Sequence, residues 1–167
     1  MDHHRVNEPA RRHNLLTPGD HPLELGDAVA ALIVDETGRY LMQFRDDIPG
    51  IFYPDHWSTF GGGLEPGETD EQALRRELFE ELQFKPTKVK PLQELIFNLA
   101  DMGGGSYWRR YFEVKIASTD VDQFVLGEGR EMRLLMADDI LLRKRVTPYD
   151  SFAIWLHYAA NNSIIQP

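Results

Sequence analysis

The segment from Gly62 to Phe84 constrains the fold and the chemistry of this chain more than any other stretch. It reads GGLEPGETDEQALRRELFEELQF. Glu77, Glu80 and Glu81 stand at i, i+3 and i+4, so in a helix they share one side. Like charges at that spacing destabilise a helix unless a positive charge lies among them. Oxygen ligands in such a group are typical of a magnesium site.

The same segment contains the signals of a helix over 70–82. Thr69 is a good N-cap, and Gln72, three residues later, completes a capping box. The expected buried stripe repeats at i, i+4 and i+8: Leu74, Leu78 and Leu82. Glu77 and Glu81 lie beside that stripe, so we expect them at the margin of the core, facing a cleft.

The spacing resembles the signature of the Nudix (MutT-like) hydrolase family. That signature runs glycine, five residues, glutamate, seven residues, Arg-Glu, apolar, any, Glu-Glu, any, glycine, apolar. The matching positions are Gly62, Glu68, Arg76, Glu77, Leu78, Glu80, Glu81 and Phe84. Gln83 replaces the last glycine, which usually closes the helix in a left-handed conformation. This difference concerns the local turn and removes no carboxylate.

The resemblance implies a role for each residue of the motif. The implied metal ligands are Glu77, Glu81, Glu80 and the backbone carbonyl of Gly62. The implied cofactor is Mg²⁺, with Mn²⁺ as the alternative. We expect Arg76 to orient Glu80 through an i, i+4 ion pair, and Glu68 to have a mainly structural role.

The resemblance also implies an additional acid from a segment after the motif. Glu131, in LGEGREMRLL, is the first candidate for this catalytic role, and Glu128 is the second. A surface ion pair is the alternative role for Glu131. Glu80 is a further candidate for the general base, acting through a metal-bound water.

Three residues before the glycine turn are candidates for substrate binding. Arg45 ends a predicted strand where the family often places an arginine near the phosphates, and a solvated strand end is the alternative. Tyr53 and Trp57 could stack on a base or shape a sugar pocket, although a core role is favoured for Trp57. Of Arg109 and Arg110, at most one can reach a phosphate, because neighbouring strand residues point to opposite faces.

The resemblance implies an enzyme that hydrolyses a nucleoside diphosphate linked to another group (NDP-X), with water attacking phosphorus. A nucleotide-sugar or another NDP-X compound is slightly favoured as the substrate. The alternative is a (deoxy)nucleoside triphosphate pyrophosphohydrolase. An alternative outside the enzymes is a non-catalytic Nudix-like module that senses a nucleotide. The complete set of motif glutamates favours the enzyme.

Composition restricts the partners. The net charge of −9 argues against nucleic acid or an anionic membrane surface as the main partner. The chain has no cysteine, which excludes disulfides and a cysteine nucleophile. No signal-peptide pattern or membrane-spanning apolar run is found, so the cytoplasm is the expected compartment. A small-molecule nucleotide is the expected partner, and the family suggests a homodimer.

The remaining pattern predicts an α/β domain. Residues 1–22 are polar and contain three prolines, so we predict an N-terminal extension followed by a Nudix domain over 23–167. The resemblance implies an α/β/α sandwich around a mixed central sheet. A last helix should begin at Thr147-Pro148. Its expected buried face comprises Phe152, Trp155, Leu156 and Ala159.

Overall fold

The computed structural model describes residues 26–98 and 105–162, which form six strands and three α-helices. The strands are β1 (Ala28–Val34), β2 (Tyr40–Phe44), β3 (Trp57–Ser58), β4 (Lys90–Asn98), β5 (Ser106–Lys115) and β6 (Glu131–Leu135). The helices are α1 (Asp70–Leu82), α2 (Ala137–Arg143) and α3 (Pro148–Asn161), with a 3-10 helix, Ser118–Gln123, before β6. The predicted extension lies outside the described residues, so the division at residue 22 stays a prediction.

The strands form one mixed sheet in the order β3-β2-β1-β5-β4, and β6 pairs with β2. β1 is parallel to β5, while the other pairs are antiparallel. The segment after β3 continues along β1. The Val29 N–H donates to the Gly62 carbonyl, and the Ala31 N–H donates to the Phe60 carbonyl, both at 2.9 Å. These bonds fix the glycine turn to the centre of the sheet.

The sheet is covered on both faces. One apolar cluster packs α1 against the sheet and contains Val29, Ala31, Ile33, Phe60, Leu74, Leu78 and Leu82. The other packs α2 and α3 against the opposite face and contains Ala30, Leu32, Met42, Tyr111, Ile140, Ala153 and Ile154. The predicted α/β/α sandwich with a mixed central sheet is therefore confirmed. None of the helices in the described ranges is long and apolar enough to cross a membrane.

Both ends of α1 follow from its sequence. Thr69 and Gln72 form the predicted capping box. At the other end Gln83 has φ 52° and ψ 27°, the left-handed conformation that the family gives to glycine. Past it, the Val125 and Gly127 N–H groups donate to helix carbonyls, at 3.1 and 2.7 Å. The loop before β6 is thereby docked on the C-terminal end of α1.

The buried face predicted for α3 was wrong at two residues. Phe152 is 50% exposed and Trp155 is 43% exposed, and their rings stack on each other at the surface. The buried positions of the helix are Asp150, Ala153, Ile154, His157 and Ala159. Asp150, Ala153, Ile154 and His157 stand at i, i+3, i+4 and i+7 and so form one buried face, which leaves Phe152 and Trp155 on the opposite side of the helix.

Candidate active site

Arg76 is the centre of an ion-pair network on α1. Its Nε and Nη2 donate to the two carboxylate oxygens of Glu68 at 2.8 and 3.0 Å. Its Nη1 donates to Glu77 at 2.8 Å and to Glu80 at 3.2 Å. Its Nη2 also donates to the Gly63 carbonyl at 2.9 Å. The expected contact with Glu80 is thus present, but the closer partners are Glu68 and Glu77.

Glu81 is the most buried carboxylate of the motif, with 4% of the residue exposed. Its Oε2 accepts a hydrogen bond from the Gly61 N–H at 2.8 Å, and its Oε1 accepts one from the Gln43 amide at 3.1 Å. Burial, together with the charges of Glu128 and Glu77, raises the pKa of Glu81 to about 8, although the hydrogen bonds from Gly61 and Gln43 oppose that rise. These contacts place the Glu81 carboxylate against the glycine turn.

Glu77 lies against the same turn. A Cβ atom on residue 62 would come within 2.5–2.7 Å of the Glu77 carboxylate, so a larger residue there would displace that carboxylate from its present position. Burial raises the pKa of Glu77, and the hydrogen bond from Arg76 opposes that rise. The Gly62 carbonyl accepts the Val29 N–H, and a carbonyl oxygen can accept a second partner.

The loop before β6 brings another acid to this cluster. Gly127 packs so closely on α1 that a Cβ atom there would lie 2.5 Å from the Glu80 carbonyl. The neighbouring Glu128 lies near enough for its charge to raise the pKa values of both Glu77 and Glu81. Glu131, in contrast, lies in β6 opposite Phe44, and its carboxylate pairs with Arg133. Glu131 thus makes the ion pair that is its alternative role, and Glu128 is the acid whose charge acts on the motif carboxylates.

The donor set fits a divalent cation. Within residues 26–98 and 105–162, no three acidic or histidine side chains are already gathered as a metal site. Magnesium, however, is usually held by one or two carboxylates, several waters and the phosphates of a substrate. Glu77 and Glu81 both have raised pKa values, and a bound cation reverses that effect because it favours the charged carboxylate.

The predicted substrate-binding residues lie in two different environments. The Arg45 Nε donates to the Phe52 carbonyl at 2.9 Å. Arg45 also lies near enough to Tyr149 for its positive charge to oppose the rise that burial causes in the pKa of Tyr149. Tyr53 has a φ of 50°, and its ring contacts Tyr149 edge-on at 5.5 Å. Trp57 is buried in the cluster that packs against α3. Arg45 and Tyr53 thus share one region, whereas Trp57 belongs to the core.

The two adjacent arginines of β5 point to opposite faces, as the strand period requires. Arg109 lies on the α3 face with its side chain 13% exposed, and its Nε is 3.6 Å from the Asp150 carboxylate. Arg110 lies on the α1 face, where it pairs with Asp70 and Glu94. Of the two, Arg109 is the one directed towards the region of Arg45 and Tyr53.

An aromatic cluster surrounds that region and was missed by sequence reasoning. Phe97 stacks on Tyr107 with ring centroids 5.0 Å apart. Tyr149 contacts both Phe97 and Tyr53 edge-on, and the Arg109 guanidinium lies 4.7 Å from the centroid of the Tyr149 ring. The available signal was the alternation in β5, which places Tyr107 and Arg109 on one face.

Asp150 was also missed, although it connects α3 to the glycine turn. Its buried carboxylate accepts hydrogen bonds from the Thr59 N–H and hydroxyl at 3.0 and 2.9 Å. The Tyr111 and Thr147 hydroxyls donate to it at 2.9 and 2.6 Å. The signal was the spacing of Thr147 and Asp150, which also fits an ordinary helix cap.

Comparison with known proteins assigns the family. Residues 24–156 match the model of the NUDIX domain, so the chain belongs to the NUDIX domain family, as its motif predicted. Nucleoside triphosphatase NudI of Enterobacter sp. (strain 638) is 48% identical over 61 residues, which are 35% of this chain. The same protein of Escherichia coli (strain K12 / DH10B) is 44% identical over 61 residues. These matches span 43% of the length of the relatives.

Solved structures agree on the fold over most of the chain. The MutT protein of Methanosarcina mazei Go1 has a TM-score of 0.66 at 19% identity and covers 83% of this chain and 96% of its own. The E. coli dihydroneopterin triphosphate pyrophosphohydrolase has a TM-score of 0.65 at 20% identity and covers 83% of this chain and 97% of its own. The fold of this chain is therefore that of MutT-type proteins.

Proposed function

We propose that this protein hydrolyses an NDP-X compound with a divalent metal ion, by attack of water at phosphorus. The observation that carries the proposal is the placement of Glu77 and Glu81 against the glycine turn. The Glu77 carboxylate lies so close to Gly62 that a side chain at position 62 would displace it, and Glu81 accepts the Gly61 N–H. The Glu77 carboxylate is half-buried, the Glu81 carboxylate is buried, and the pKa values of both are raised. Such a pair, beside a glycine backbone that a metal ion can approach closely, suits a metal-assisted hydrolase.

A nucleoside triphosphate is the substrate class that the comparisons favour. It is the NDP-X compound in which the linked group is phosphate. The support is the local similarity to proteins called nucleoside triphosphatase, which covers 35% of this chain. The nucleotide-sugar favoured by the sequence has no such support, so it is the competing substrate class in the experiment described below. The net charge of −9 favours a free nucleotide over nucleic acid.

Glu77, Glu81 and Glu80, with the Gly62 carbonyl, would hold Mg²⁺ or Mn²⁺. When bound, such an ion offsets charge on phosphate oxygens and lowers the pKa of water. Arg76 holds the Glu77 carboxylate in place through its 2.8 Å contact. The Glu128 carboxylate is the proposed acceptor of the proton from the attacking water, with Glu80 and Glu131 as the other candidates.

The rest of the substrate would lie over the aromatic cluster. Tyr53 and Tyr149 meet edge-on, and their rings are the proposed platform on whose faces a nucleobase can stack. The Arg109 guanidinium lies 4.7 Å from the centroid of the Tyr149 ring, and its charge is balanced by the buried Asp150 carboxylate. Arg45, near the same rings, is the proposed phosphate contact. A cytoplasmic location and a homodimer are parts of this proposal that come from the family resemblance alone.

The test is a hydrolysis screen of nucleoside triphosphates, deoxynucleoside triphosphates and nucleotide-sugars, with Mg²⁺, with Mn²⁺ and with EDTA. We expect metal-dependent cleavage of triphosphates and a loss of about 10³-fold or more in Glu81→Gln. The matched control is Glu71→Gln, which changes an exposed glutamate of the same helix. Nucleotide binding without turnover on any class would contradict the proposal and support a sensing module. Cleavage of nucleotide-sugars alone would contradict the substrate class.

A further inference from the structure

Gln43 is a buried polar residue on the face of β2 that packs against α1. Only 1% of the residue is exposed. Its Nε2 donates to the Glu81 Oε1 at 3.1 Å and to the Thr59 carbonyl at 3.4 Å. Glu81 is 38 residues away on α1, and Thr59 precedes the glycine turn. One amide group therefore joins the helix that carries the motif to the strand that leads into the turn.

The acceptor end of the same amide contacts a third segment. Gly129, in the loop that carries Glu128, packs so that a Cβ atom there would lie 2.9 Å from the Gln43 Oε1. Gly129 has φ +83°, a conformation that favours glycine, so the close approach depends on this residue type. Gln43 thus contacts three segments of the site: α1, the strand before the turn and the loop of Glu128.

The environment of Gln43 would otherwise suit an apolar residue. Leu41, two residues earlier on the same face, belongs to the apolar cluster beneath α1. Burying an amide costs free energy unless it is hydrogen-bonded. Ser58 pairs with Gln43 across the strands, and its hydroxyl is buried without a hydrogen-bond partner among the described residues. The amide of Gln43 is therefore directed specifically at Glu81 and Thr59.

We propose that Gln43 is a positioning residue that holds the Glu81 carboxylate for metal binding. This inference rests on the proposed function. Glu81 is held at one oxygen by Gly61 and at the other by Gln43. With the second donor removed, the carboxylate can rotate about its remaining bond and leave the orientation set by the turn. Removing partners that orient metal ligands typically costs 10- to 100-fold in metal affinity or activity.

The experiment compares wild type with Gln43→Met, which keeps the length of the side chain but removes the amide. Mn²⁺ affinity is measured by electron paramagnetic resonance, and kcat and KM are measured for a nucleoside triphosphate. We expect Mn²⁺ affinity and kcat to fall about 10-fold or more, while KM for the nucleotide changes little. The matched control is Gln93→Met, because the Gln93 amide donates to the Ala153 carbonyl on the opposite face of the sheet.

Two further variants test how the effect is transmitted. Gln43→Asn keeps an amide but withdraws it by one methylene, and it should show the same loss even if Gln43→Met does not fold. In a Glu81→Gln background, Gln43→Met should change Mn²⁺ affinity much less than in wild type, since Gln43 acts through Glu81.

The outcomes separate this inference from the proposed function. Equal Mn²⁺ affinity in wild type, Gln43→Met and Gln43→Asn overturns the role of Gln43. Wild type that binds Mn²⁺ but hydrolyses no nucleotide contradicts the proposed function, and the Mn²⁺ comparison still decides the role of Gln43. Wild type without measurable Mn²⁺ binding overturns both.

Discussion

Arg76 and Glu68 form a bidentate ion pair, at 2.8 and 3.0 Å, that ties the middle of α1 to the turn before it. The same guanidinium contacts Glu77 at 2.8 Å. Hydrogen bonding from Arg76 lowers the pKa of Glu68 and keeps it charged. The contribution of Glu68 is therefore to hold Arg76, which in turn holds Glu77. Its expected structural role has this physical basis.

Arg76→Lys should lower both activity and stability. An ammonium group cannot reproduce the two parallel bonds to Glu68 or span the distance to Glu77. We expect kcat to fall about 10-fold or more and the free energy of unfolding to fall by about 1–2 kcal/mol. Kinetics and urea unfolding measure the two effects. Arg75→Lys is the control because Arg75 pairs with the exposed Glu71, and similar losses in both variants would contradict a special role of Arg76.

Gln83→Gly should stabilise the protein. Gln83 is exposed and has a φ of 52°, where a side chain is strained and glycine is not. We expect the free energy of unfolding to rise by about 1 kcal/mol, which urea unfolding can measure. Gln83→Ala is the matched control and should give no such gain, because alanine also has a Cβ atom. A gain in both variants would show that the gain does not come from relief of backbone strain at residue 83. A gain in neither would show that this strain does not lower the stability of the protein.

The sequence predicted α1 and its carboxylates because their signals are local. The N-cap at Thr69, the leucine stripe and the spacing of Glu77 and Glu81 all lie within one segment, and the structure shows the predicted helix over Asp70–Leu82. The mixed sheet and the sandwich followed from the family that this segment identifies. None of these inferences required knowledge of which distant residues come together.

The missed features depend on contacts between distant residues. Asp150 reaches Thr59 across 91 residues, and Gln43 reaches Glu81 across 38. A buried aspartate or glutamine looks the same in sequence as an exposed one. For that reason the sequence did not predict the burial of Asp150 or the exposure of Trp155. The position of Glu128 likewise depends on how its loop packs against α1.

Asp150→Asn should destabilise the protein strongly. The substitution keeps the shape of the side chain but removes the negative charge that lies 3.6 Å from the buried Arg109. It also places an amide where the Thr59 N–H and three hydroxyls donate. We expect the free energy of unfolding to fall by about 3–5 kcal/mol, measured by urea unfolding.

A double variant separates the two causes of that loss. Arg109→Met in the Asp150→Asn background removes the uncompensated positive charge, so it should restore part of the stability. A further loss in the double variant would show that Arg109 is not left unbalanced by the first substitution. Thr147→Val is a milder comparison, because it removes one hydroxyl donor and leaves the charge pair in place.

The contribution of His157 to the stability of the protein should fall between neutral and mildly acidic pH. Its Nδ1 is 2.7 Å from the Tyr40 hydroxyl, and its Nε2 is 2.7 Å from the Glu113 carboxylate. Burial lowers the pKa of His157, while the hydrogen bond to Glu113 opposes that effect. The unfolded chain, with a histidine pKa of about 6.5, therefore binds this proton more readily than the folded chain.

The sign follows from that difference in proton binding. The contribution of His157 to stability is present above pH about 6.5 and is lost as the pH falls through the lowered pKa of the folded state. Urea unfolding at pH values about one unit apart, from pH 7.5 to pH 5.5, measures how the free energy of unfolding changes with pH. Glu81, whose pKa is raised to about 8, changes stability in the opposite direction over this range, so the test is the difference between variant and wild type. Relative to wild type, His157→Gln should gain stability as the pH falls, whereas His56→Gln, the control, should follow the wild-type profile. An unchanged slope in His157→Gln would assign the pH dependence to other groups.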